Sequence, residues 1–215
     1  MVKFITFEGG EGAGKSTQIR LLQKYFEQLK IPCLATREPD DTALGGLIRK
    51  ILLEVSADII APLTEVFLYL ADRSHHVSQT IVPAINAGKI VLCDRFTDST
   101  LAYQGYGRGI DLAWLRDLND VATAFTQPDL TFLLDCPVKL GLARAAERKY
   151  DTDKAREDRF ERETLAFHER VRAGFLALAQ NEPARFRIID AAKTVEESAA
   201  DIRKIVERNF FNEPR

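Results

Sequence analysis

Residues 4–17 read FITFEGGEGAGKST, an apolar strand-like run that leads into a glycine-rich loop and then into a helical pattern. In that setting the spacing Gly9-x-x-x-x-Gly14-Lys15-Ser16 predicts a phosphate-binding loop, because glycines let backbone N–H groups turn toward phosphate oxygens. We expect Lys15 to bridge the outer phosphates and Ser16 to ligate Mg²⁺ beside the positive end of the helix dipole. The loop predicts bound ATP or GTP, but leaves water, a protein side chain and a small metabolite open as phosphate acceptors.

Short apolar runs alternate with longer helical patterns along the rest of the chain. Continuous apolar strands separated by helices are typical of a parallel sheet that is covered on both faces. We therefore predict an α/β fold of three layers, with ligands at the carboxyl ends of the strands. The predicted strands are 2–7, 33–36, 90–94, 130–135 and 186–190, and the predicted helices are about 15–29, 43–55, 63–87, 111–124 and 195–210.

Size and composition limit the possible classes of function. The 215 residues are enough for a single domain, 1–215, and the formal net charge of −2 gives no basic excess for binding nucleic acid. The longest apolar runs are too short to cross a bilayer, so no membrane association is expected. Cys33, Cys93 and Cys136 lie in separate strand-like runs, which favours reduced thiols and a cytoplasmic location.

Two classes of nucleotide-binding protein are disfavoured. A GTPase switch needs a guanine-reading NKxD or TKxD run, and neither is present. A motor or nucleic-acid ATPase would be expected to bring further domains or a basic groove. A small-molecule kinase remains, whose acceptor site should contain basic residues for an anionic substrate and an aromatic ring for a flat one.

Three clusters meet that description. Asp94 and Arg95 end a predicted strand, where a carboxylate can hold the water shell of magnesium and a guanidinium can clamp a phosphate. Arg37 ends another strand and is a second candidate clamp. Tyr69 and Arg73 are four residues apart on a predicted helix, so they share a face on which a base can be stacked and read.

Taken together, the chain closely resembles the thymidylate kinases. The resemblance is carried, in order, by FEGGEGAGKST (7–17), TREP (36–39), YLADR (69–73), DRFTDSTLAYQGYGRGID (94–111) and DRFERE (158–163). It implies a P-loop nucleoside monophosphate kinase fold with a five-stranded parallel sheet. It also implies transfer of the ATP γ-phosphate to dTMP, giving dTDP, with Mg²⁺ as cofactor and a homodimer as the usual assembly.

The resemblance assigns acceptor-binding roles by position. Tyr69 is implied to stack on thymine, Arg73 to contact a base carbonyl, and Thr100 to bond the pyrimidine edge with Gln104 beside it. Tyr103 is implied to pack under the deoxyribose, where a 2′-hydroxyl would clash.

The resemblance also assigns the phosphate-side roles. Arg37 and Arg95 are implied to clamp the dTMP phosphate, and Glu11 to reach the sugar 3′-hydroxyl and the magnesium environment. Ser16 and Asp94 are the expected metal-side residues, and Lys15, Arg95, Arg148 and Glu11 the catalytic set. The ATP-binding residues are expected to be Gly10, Glu11, Gly12, Ala13, Gly14, Lys15, Ser16, Thr17, Arg144 and Asp190.

A charged segment, 147–163, has two interpretations: a solvated helix with i,i+4 ion pairs or a mobile lid. Some relatives carry an arginine in the phosphate loop where this chain has Gly12, and a second, bacterial type supplies that charge from the lid. The resemblance to the second type favours a lid at about 144–160. Arg148 is the first candidate for the transferred phosphoryl group, Arg156 is the alternative, and Arg144 is expected near the adenine with Asp190–Lys193.

The chain departs from the family pattern at one turn. The common TREPGGT is here TREPDDT, so Asp40 and Asp41 replace two glycines, and Gly46 stands where an acidic residue often follows LG. The carboxylates enter near an anionic substrate and are expected to weaken acceptor affinity or alter magnesium binding. Two alternatives stay open: a kinase for another nucleoside monophosphate or deoxynucleoside, and a non-catalytic nucleotide-binding regulator.

Overall fold

Five parallel strands form the central sheet of the computed structural model, which describes residues 2–53, 60–150 and 159–211. The strand order is β2-β3-β1-β4-β5. Phe7 is in register with Asp94 on one side and Phe132 on the other, so the carboxyl ends of the central strands meet at one edge. The predicted parallel α/β sheet is confirmed. Its strands are β1 (Phe4–Glu8), β2 (Cys33–Arg37), β3 (Ile90–Asp94), β4 (Leu130–Asp135) and β5 (Phe186–Asp190).

Helices cover both faces of this sheet. They are α1 (Lys15–Gln28), α2 (Ala43–Leu53), α3 (Pro62–His76), α4 (Val82–Asn86), α5 (Thr97–Thr100), α6 (Leu112–Ala122), α7 (Val138–Tyr150), α8 (Leu165–Asn181) and α9 (Val195–Phe211). A π-helical turn, Val77–Ile81, joins α3 to α4, so the helix predicted over 63–87 is one continuous helical segment. A second π-helical turn, Leu101–Gly107, continues α5.

Three helical regions were not predicted from the sequence: α7, α8 and the segment Thr97–Gly107. The segment Thr97–Gly107 contains threonine, serine and glycine, which have low intrinsic helix propensity. Its helical form depends on tertiary packing, because the buried ring of Tyr103 contacts Phe167 and Phe175 of α8 edge-on at 6.2 and 6.1 Å. This segment and α8 therefore form as a packed pair.

The alternation of side chains along β1 explains the three layers. Ile5 and Phe7 point to the face that α1 and α9 cover, where Phe26 and Val206 are also buried. Phe4 points to the opposite face and meets the ring of Phe96 edge-on at 4.9 Å. Because both faces are buried, function is left to the loops at the edge of the sheet.

Cys33 is partly buried and Cys93 and Cys136 are buried, and all three carry free thiols. None of the helices within the described residues combines the length and apolar content that a bilayer crossing requires.

Candidate active site

A cleft with a volume of about 450 Å³ opens at the carboxyl ends of β1, β2 and β3. It joins the phosphate loop to the three clusters that the sequence proposed for the acceptor. The predicted site residues that line it are Glu11, Gly12, Ala13, Gly14, Lys15, Ser16, Thr17, Arg37, Tyr69, Arg73, Asp94, Arg95, Thr100, Tyr103 and Gln104. Gly10 lines a second, smaller cavity behind the loop instead.

The phosphate loop ends at Gly14, whose φ of +90° turns the chain into the first turn of α1. Lys15 is buried, and its ammonium donates to the carbonyls of Gly9 and Gly10 at 3.0 and 2.9 Å. Burial and the nearby Arg95 charge lower the pKa of Lys15 to about 8. An anionic phosphate in the loop would offset both effects, so the loop is electrostatically prepared for a polyanion.

Ser16 and Asp94 meet at the mouth of the loop. The Ser16 hydroxyl donates to Asp94 Oδ2 at 2.5 Å, and both residues line the cleft. A hydroxyl and a carboxylate are hard oxygen ligands of the kind that Mg²⁺ prefers, with water and phosphate oxygens completing an octahedron. The donor set therefore fits magnesium.

Arg95 is held by a network that includes two other predicted site residues. One Nη donates to Glu11 Oε1 at 2.9 Å and to the Tyr103 hydroxyl at 3.1 Å, and the other donates to Gly9 O and to Ser99 Oγ. The Tyr103 hydroxyl in turn donates to Glu11 Oε1 at 2.8 Å. Burial would raise the pKa of Glu11, but the Arg95 and Lys15 charges lower it to about 2. Glu11 is thus a fixed anion beside a fixed cation.

Glu8 positions the backbone that carries Arg95. Arg95 has a φ of +70°, a conformation that side chains rarely adopt. The buried carboxylate of Glu8 accepts the N–H of Phe96 at 2.7 Å and the hydroxyl of Ser99 at 2.6 Å, which ties down the turn directly after Arg95. Burial and the Asp98 charge raise the pKa of Glu8. This role of Glu8 was not predicted, although the residue belongs to the strand that leads into the loop.

Aromatic rings form the wall of the cleft away from the phosphate loop. Phe160 lies between Tyr69 and Tyr103, with centroid distances of 6.5 and 5.5 Å. Phe160 was predicted to lie at the edge of a lid, without a role in ligand binding. Its place in the DRFERE motif was the available signal. These rings offer flat apolar surface on which a base can stack.

Polar atoms that can read a base lie next to these rings. Thr100 Oγ1 accepts from Arg73 Nη1 at 2.8 Å, and Gln104 Nε2 donates to Glu65 Oε1 at 2.7 Å. Each of these bonds fixes the orientation of a buried side chain and leaves further hydrogen-bonding capacity on it.

Arg73 is fully buried, and it both lines the cleft and donates hydrogen bonds within the protein. Its Nε donates to Glu38 at 2.8 Å and its Nη1 to Thr100 and Asn119. Its Nη2 donates to the carbonyl of Phe96 at 3.0 Å. Since a guanidinium has five N–H groups, one remains for a ligand. The structural role was not predicted, because it depends on partners that are distant in sequence.

Asp72, the neighbour of Arg73 in YLADR, is buried, and neither of its carboxylate oxygens has a hydrogen-bond partner within the described residues. Burial and the charge of Glu38 raise the pKa of Asp72 to about 7. The unfolded chain has the ordinary value near 3.8, so the folded state binds the extra proton between about pH 4 and pH 7. Ionising Asp72 therefore costs stability as the pH rises through that window.

Asp72→Asn should consequently raise the free energy of unfolding at pH 8 by about 1–3 kcal/mol, because it removes a buried unpaired charge. The gain should shrink toward pH 5, where Asp72 is protonated. Denaturant titrations at pH 5 and pH 8 measure this, with Asp117→Asn on the exposed face of α6 as control. A gain that is the same at both pH values would contradict this prediction.

Further cleft residues were missed by sequence analysis. They are Glu38, Pro39, Arg49, Leu53, Ser99 and Glu161. Arg49 lies on α2, where its charge alone gave no signal. The Nη1 atom of Arg49 donates to the carbonyl oxygen of Pro39, a residue of the TREP motif, at 3.2 Å.

Arg144 and Asp190 lie outside the cleft but near each other. Arg144 Nη1 donates to the carbonyl of Ala191 at 2.7 Å, and Asp190 Oδ1 accepts the N–H of Ala192. This brings the start of the predicted lid to the segment after β5. The side chain of Arg148 and all of Arg156 lie outside the described residues.

Gly12 in the loop and Gly141 in α7 are in close contact. A Cβ built on Gly12, whose φ is +64°, would lie 1.9 Å from the carbonyl oxygen of Gly141. A Cβ on Gly141 would lie 2.3 Å from the carbonyl oxygen of Glu11. The loop and α7 therefore touch backbone to backbone, and any side chain at position 12 would need α7 to move.

Comparisons with known proteins agree with this geometry. The family model for thymidylate kinase matches residues 7–202. A thymidylate kinase of Desulfovibrio desulfuricans is 53% identical over 205 residues, which is 95% of this chain and 94% of the relative. A thymidylate kinase of Geobacter sulfurreducens is 49% identical over 203 residues, 94% of this chain and 95% of the relative.

A solved structure extends the agreement to the fold. The crystal structure of thymidylate kinase from Ehrlichia chaffeensis matches with a TM-score of 0.76 and 32% sequence identity, covering 94% of this chain and 97% of that one. The predicted P-loop nucleoside monophosphate kinase fold is confirmed. The family model spans both the phosphate loop and the acceptor wall of the cleft, and the chain belongs to the thymidylate kinase family.

Proposed function

We propose that this chain transfers the γ-phosphate of ATP to the 5′-phosphate of dTMP, giving dTDP. The observation that carries the proposal is that the phosphate loop and the aromatic and arginine residues of the acceptor wall line the same cleft. A kinase for another nucleoside monophosphate or deoxynucleoside is the alternative. It has less support, because the family model and the two relatives described above carry the thymidylate kinase name.

The acceptor is already an anionic phosphate, so the reaction needs no strong general base. The difficulty is to bring two polyanions together and to neutralise the charge on the transferred group. In the proposal, Lys15 holds the outer phosphates of ATP while Arg95 and Arg37 hold the phosphate of dTMP. Glu11, fixed by Arg95 and Tyr103, accepts from the sugar 3′-hydroxyl.

Ser16 and Asp94 would hold Mg²⁺ together with phosphate oxygens and water, as their oxygen donors allow. When bound, the ion would neutralise charge on the phosphates of ATP. The backbone of residues 10–17 would bind the remaining phosphate oxygens, and Arg144 with the segment after β5 would lie against the adenine.

The base of dTMP would stack on Tyr69 opposite Phe160. Arg73 would donate its remaining N–H to a base carbonyl, and Thr100 and Gln104 would bond the pyrimidine edge. Tyr103, held from behind by Phe167 and Phe175, would lie under the deoxyribose and leave no space for a 2′-hydroxyl.

A coupled ADP-release assay with dTMP, dUMP, UMP, CMP and AMP tests the proposal. We expect kcat/KM for dTMP to exceed that for CMP and AMP by about 100-fold or more, since each mismatched polar edge leaves buried groups unpaired. dUMP should be used better than UMP. Equal kcat/KM values for dUMP and UMP would contradict the proposal that Tyr103 excludes a 2′-hydroxyl. ATP binding without dTMP-dependent ADP release would support a non-catalytic regulator instead.

The proposal includes one domain, 1–215, with a lid at about 144–160 that supplies the charge absent from position 12. We expect Arg148→Ala to lower kcat by about 100-fold while the KM for dTMP changes by less than about threefold, because the contact is made only in the transition state. Arg144→Ala and Arg156→Ala are the comparison variants. A normal kcat in Arg148→Ala together with a low kcat in Arg156→Ala would transfer the role to Arg156.

We also propose a homodimer through an apolar patch on α2, α3 and α6. It consists of Leu47, Ile51, Leu63, Phe67 and Trp114, each 38–59% exposed, and the rings of Phe67 and Trp114 meet edge-on at 6.3 Å. Exposed apolar clusters of this kind mark interaction surfaces, and a second copy would bury them symmetrically.

Phe67→Glu should convert the dimer to a monomer in light-scattering measurements, because burying the new carboxylate in an apolar interface costs more than a weak dimer contributes. Leu29→Glu, also exposed but next to α1 on the other face of the sheet, is the control and should stay dimeric. A wild-type monomer at micromolar concentration would disprove the assembly.

The cytoplasm is the proposed location of the reaction. Free thiols at Cys33, Cys93 and Cys136 support this, because reduced cysteines persist in a reducing compartment.

A further inference from the structure

The turn between β2 and α2 places a carboxylate on two arginines of the cleft. Asp40 Oδ2 contacts the guanidinium of Arg37 and lies 3.9 Å from Nε of Arg49. Both arginines line the cleft, and Arg37 is the predicted clamp for the acceptor phosphate. Its side chain is 46% exposed, so Arg37 lies where an entering anion would meet it.

The local backbone is adapted to this carboxylate. Asp40 has a φ of +149°, within the range that favours glycine, yet it carries a side chain. Gly46 lies opposite it on α2, and a Cβ built there would be in contact with Asp40 Oδ1 at 3.5 Å. A longer side chain at position 46 would therefore occupy the space that the carboxylate uses.

Asp41, the next residue, faces a different environment. Its carboxylate accepts from the hydroxyl of Thr36 and lies 3.9 Å from Nε2 of the buried His76, whose Nδ1 is 2.9 Å from Glu38. The two adjacent aspartates thus carry the same charge, but among the described residues Asp40 contacts Arg37 and Arg49, whereas Asp41 contacts Thr36 and His76.

We propose that Asp40 is an affinity-determining residue that competes with the phosphate of the acceptor nucleotide for Arg37 and Arg49. A phosphate that binds these guanidiniums must share them with the carboxylate or displace it. In either case the net attraction between the phosphate and the two arginines is smaller than it would be without the Asp40 carboxylate. The inference rests on the proposed function, because it takes the acceptor phosphate to bind at Arg37.

Asp40→Asn tests the competition by removing the charge while keeping the shape of the side chain. We expect the KM for dTMP, and the Kd for dTMP measured by calorimetry, to fall by about 3- to 10-fold at low ionic strength. The effect should shrink in high salt, since the pair is partly exposed. The Kd for ATP should change by less than about twofold, because the contacts of Asp40 with described residues are to Arg37 and Arg49, on the acceptor side of the cleft.

Asp41→Asn is the matched control, since it changes the net charge equally one residue away. It should alter the Kd for dTMP by less than about twofold. In an Arg37→Gln, Arg49→Gln background, Asp40→Asn should lose its effect, because its route to the ligand has been removed. Thermal unfolding of each variant shows that the turn is intact.

An unchanged or higher Kd for dTMP in Asp40→Asn would overturn the inference and make Asp40 a residue that positions the arginines. Failure of the proposed function is distinguishable from this, because the wild type would then release no ADP with dTMP. In that case the same variants are compared for binding of inorganic phosphate, and the same decrease in Kd is expected.

Discussion

Lys15→Ala should lower kcat/KM with ATP and dTMP by about 10³-fold or more. Lys15 supplies a unit charge inside a buried loop, where electrostatic stabilisation of developing phosphate charge is strongest. Its ammonium already donates to Gly9 and Gly10, so it is held at the loop before any phosphate arrives. Steady-state kinetics with the coupled assay measures the loss, and calorimetry with ATP separates binding from turnover.

Lys24→Ala, at an exposed position of the same helix, is the control for charge removal and should keep its activity within about twofold. Lys15→Ala should not destabilise the fold. The lowered pKa of Lys15 means that its buried charge reduces the stability of the folded protein, at least up to about pH 8. A Lys15→Ala protein with more than a tenth of normal activity would mean that the loop does not hold the transferred phosphate.

Gly12→Ala should impair both activity and stability, although it adds only one methyl group. The φ of +64° disfavours any side chain, and the new Cβ would lie 1.9 Å from the carbonyl oxygen of Gly141. Since backbone on both sides must move, we expect a loss of about 2–4 kcal/mol in the free energy of unfolding. We also expect a fall of more than about 100-fold in kcat, because the phosphate loop and α7 both shift.

Gly10→Ala is the matched control for stability. It lies in the same loop, and a Cβ there would meet no described residue within 4 Å. Its free energy of unfolding should change by less than about 1 kcal/mol. Denaturant unfolding and ATP calorimetry compare the two variants. If Gly12→Ala kept normal stability and ATP affinity, the contact between the loop and α7 would be unimportant.

The close contact at Gly12 also bears on the arginine that some relatives carry in this loop. An arginine at position 12 is incompatible with the observed place of α7, whose Gly141 touches the loop. α7 leads directly into the predicted lid. The position of α7 therefore requires glycine at position 12, and this is compatible with the proposal that the lid supplies the arginine.

Most of the sheet could be predicted, because buried parallel strands are short apolar runs that local sequence shows directly. The phosphate loop was equally clear, since glycine spacing encodes a backbone shape. Helices α7 and α8 were missed although their alanine, leucine, glutamate and arginine residues favour a helix. The segment Thr97–Gly107 was missed because its helical form depends on the packing of Tyr103 against Phe167 and Phe175. Local propensity carries no information about such long-range pairs.

The motifs predicted the residues proposed to bind the acceptor, and these line one cleft, but their partners within the protein were not predicted. Nothing local to Arg73 shows that four of its N–H groups are donated within the protein, and nothing local to Glu8 shows that it fixes the turn after Arg95. Phe160 was assigned to a lid, and only the structure places its ring between Tyr69 and Tyr103.

The sequence by itself determined the phosphate loop, the parallel α/β sheet and the order of the acceptor motifs, because each of these is encoded by neighbouring residues. The tertiary structure alone decided which charges meet. It placed Asp40 on the two cleft arginines and brought Gly12 against Gly141. In the part of the chain that the structure describes, it also left the buried carboxylate of Asp72 without a hydrogen-bond partner. Contacts of this kind join segments that are separate in the chain, and their energies depend on distances that only the folded protein defines.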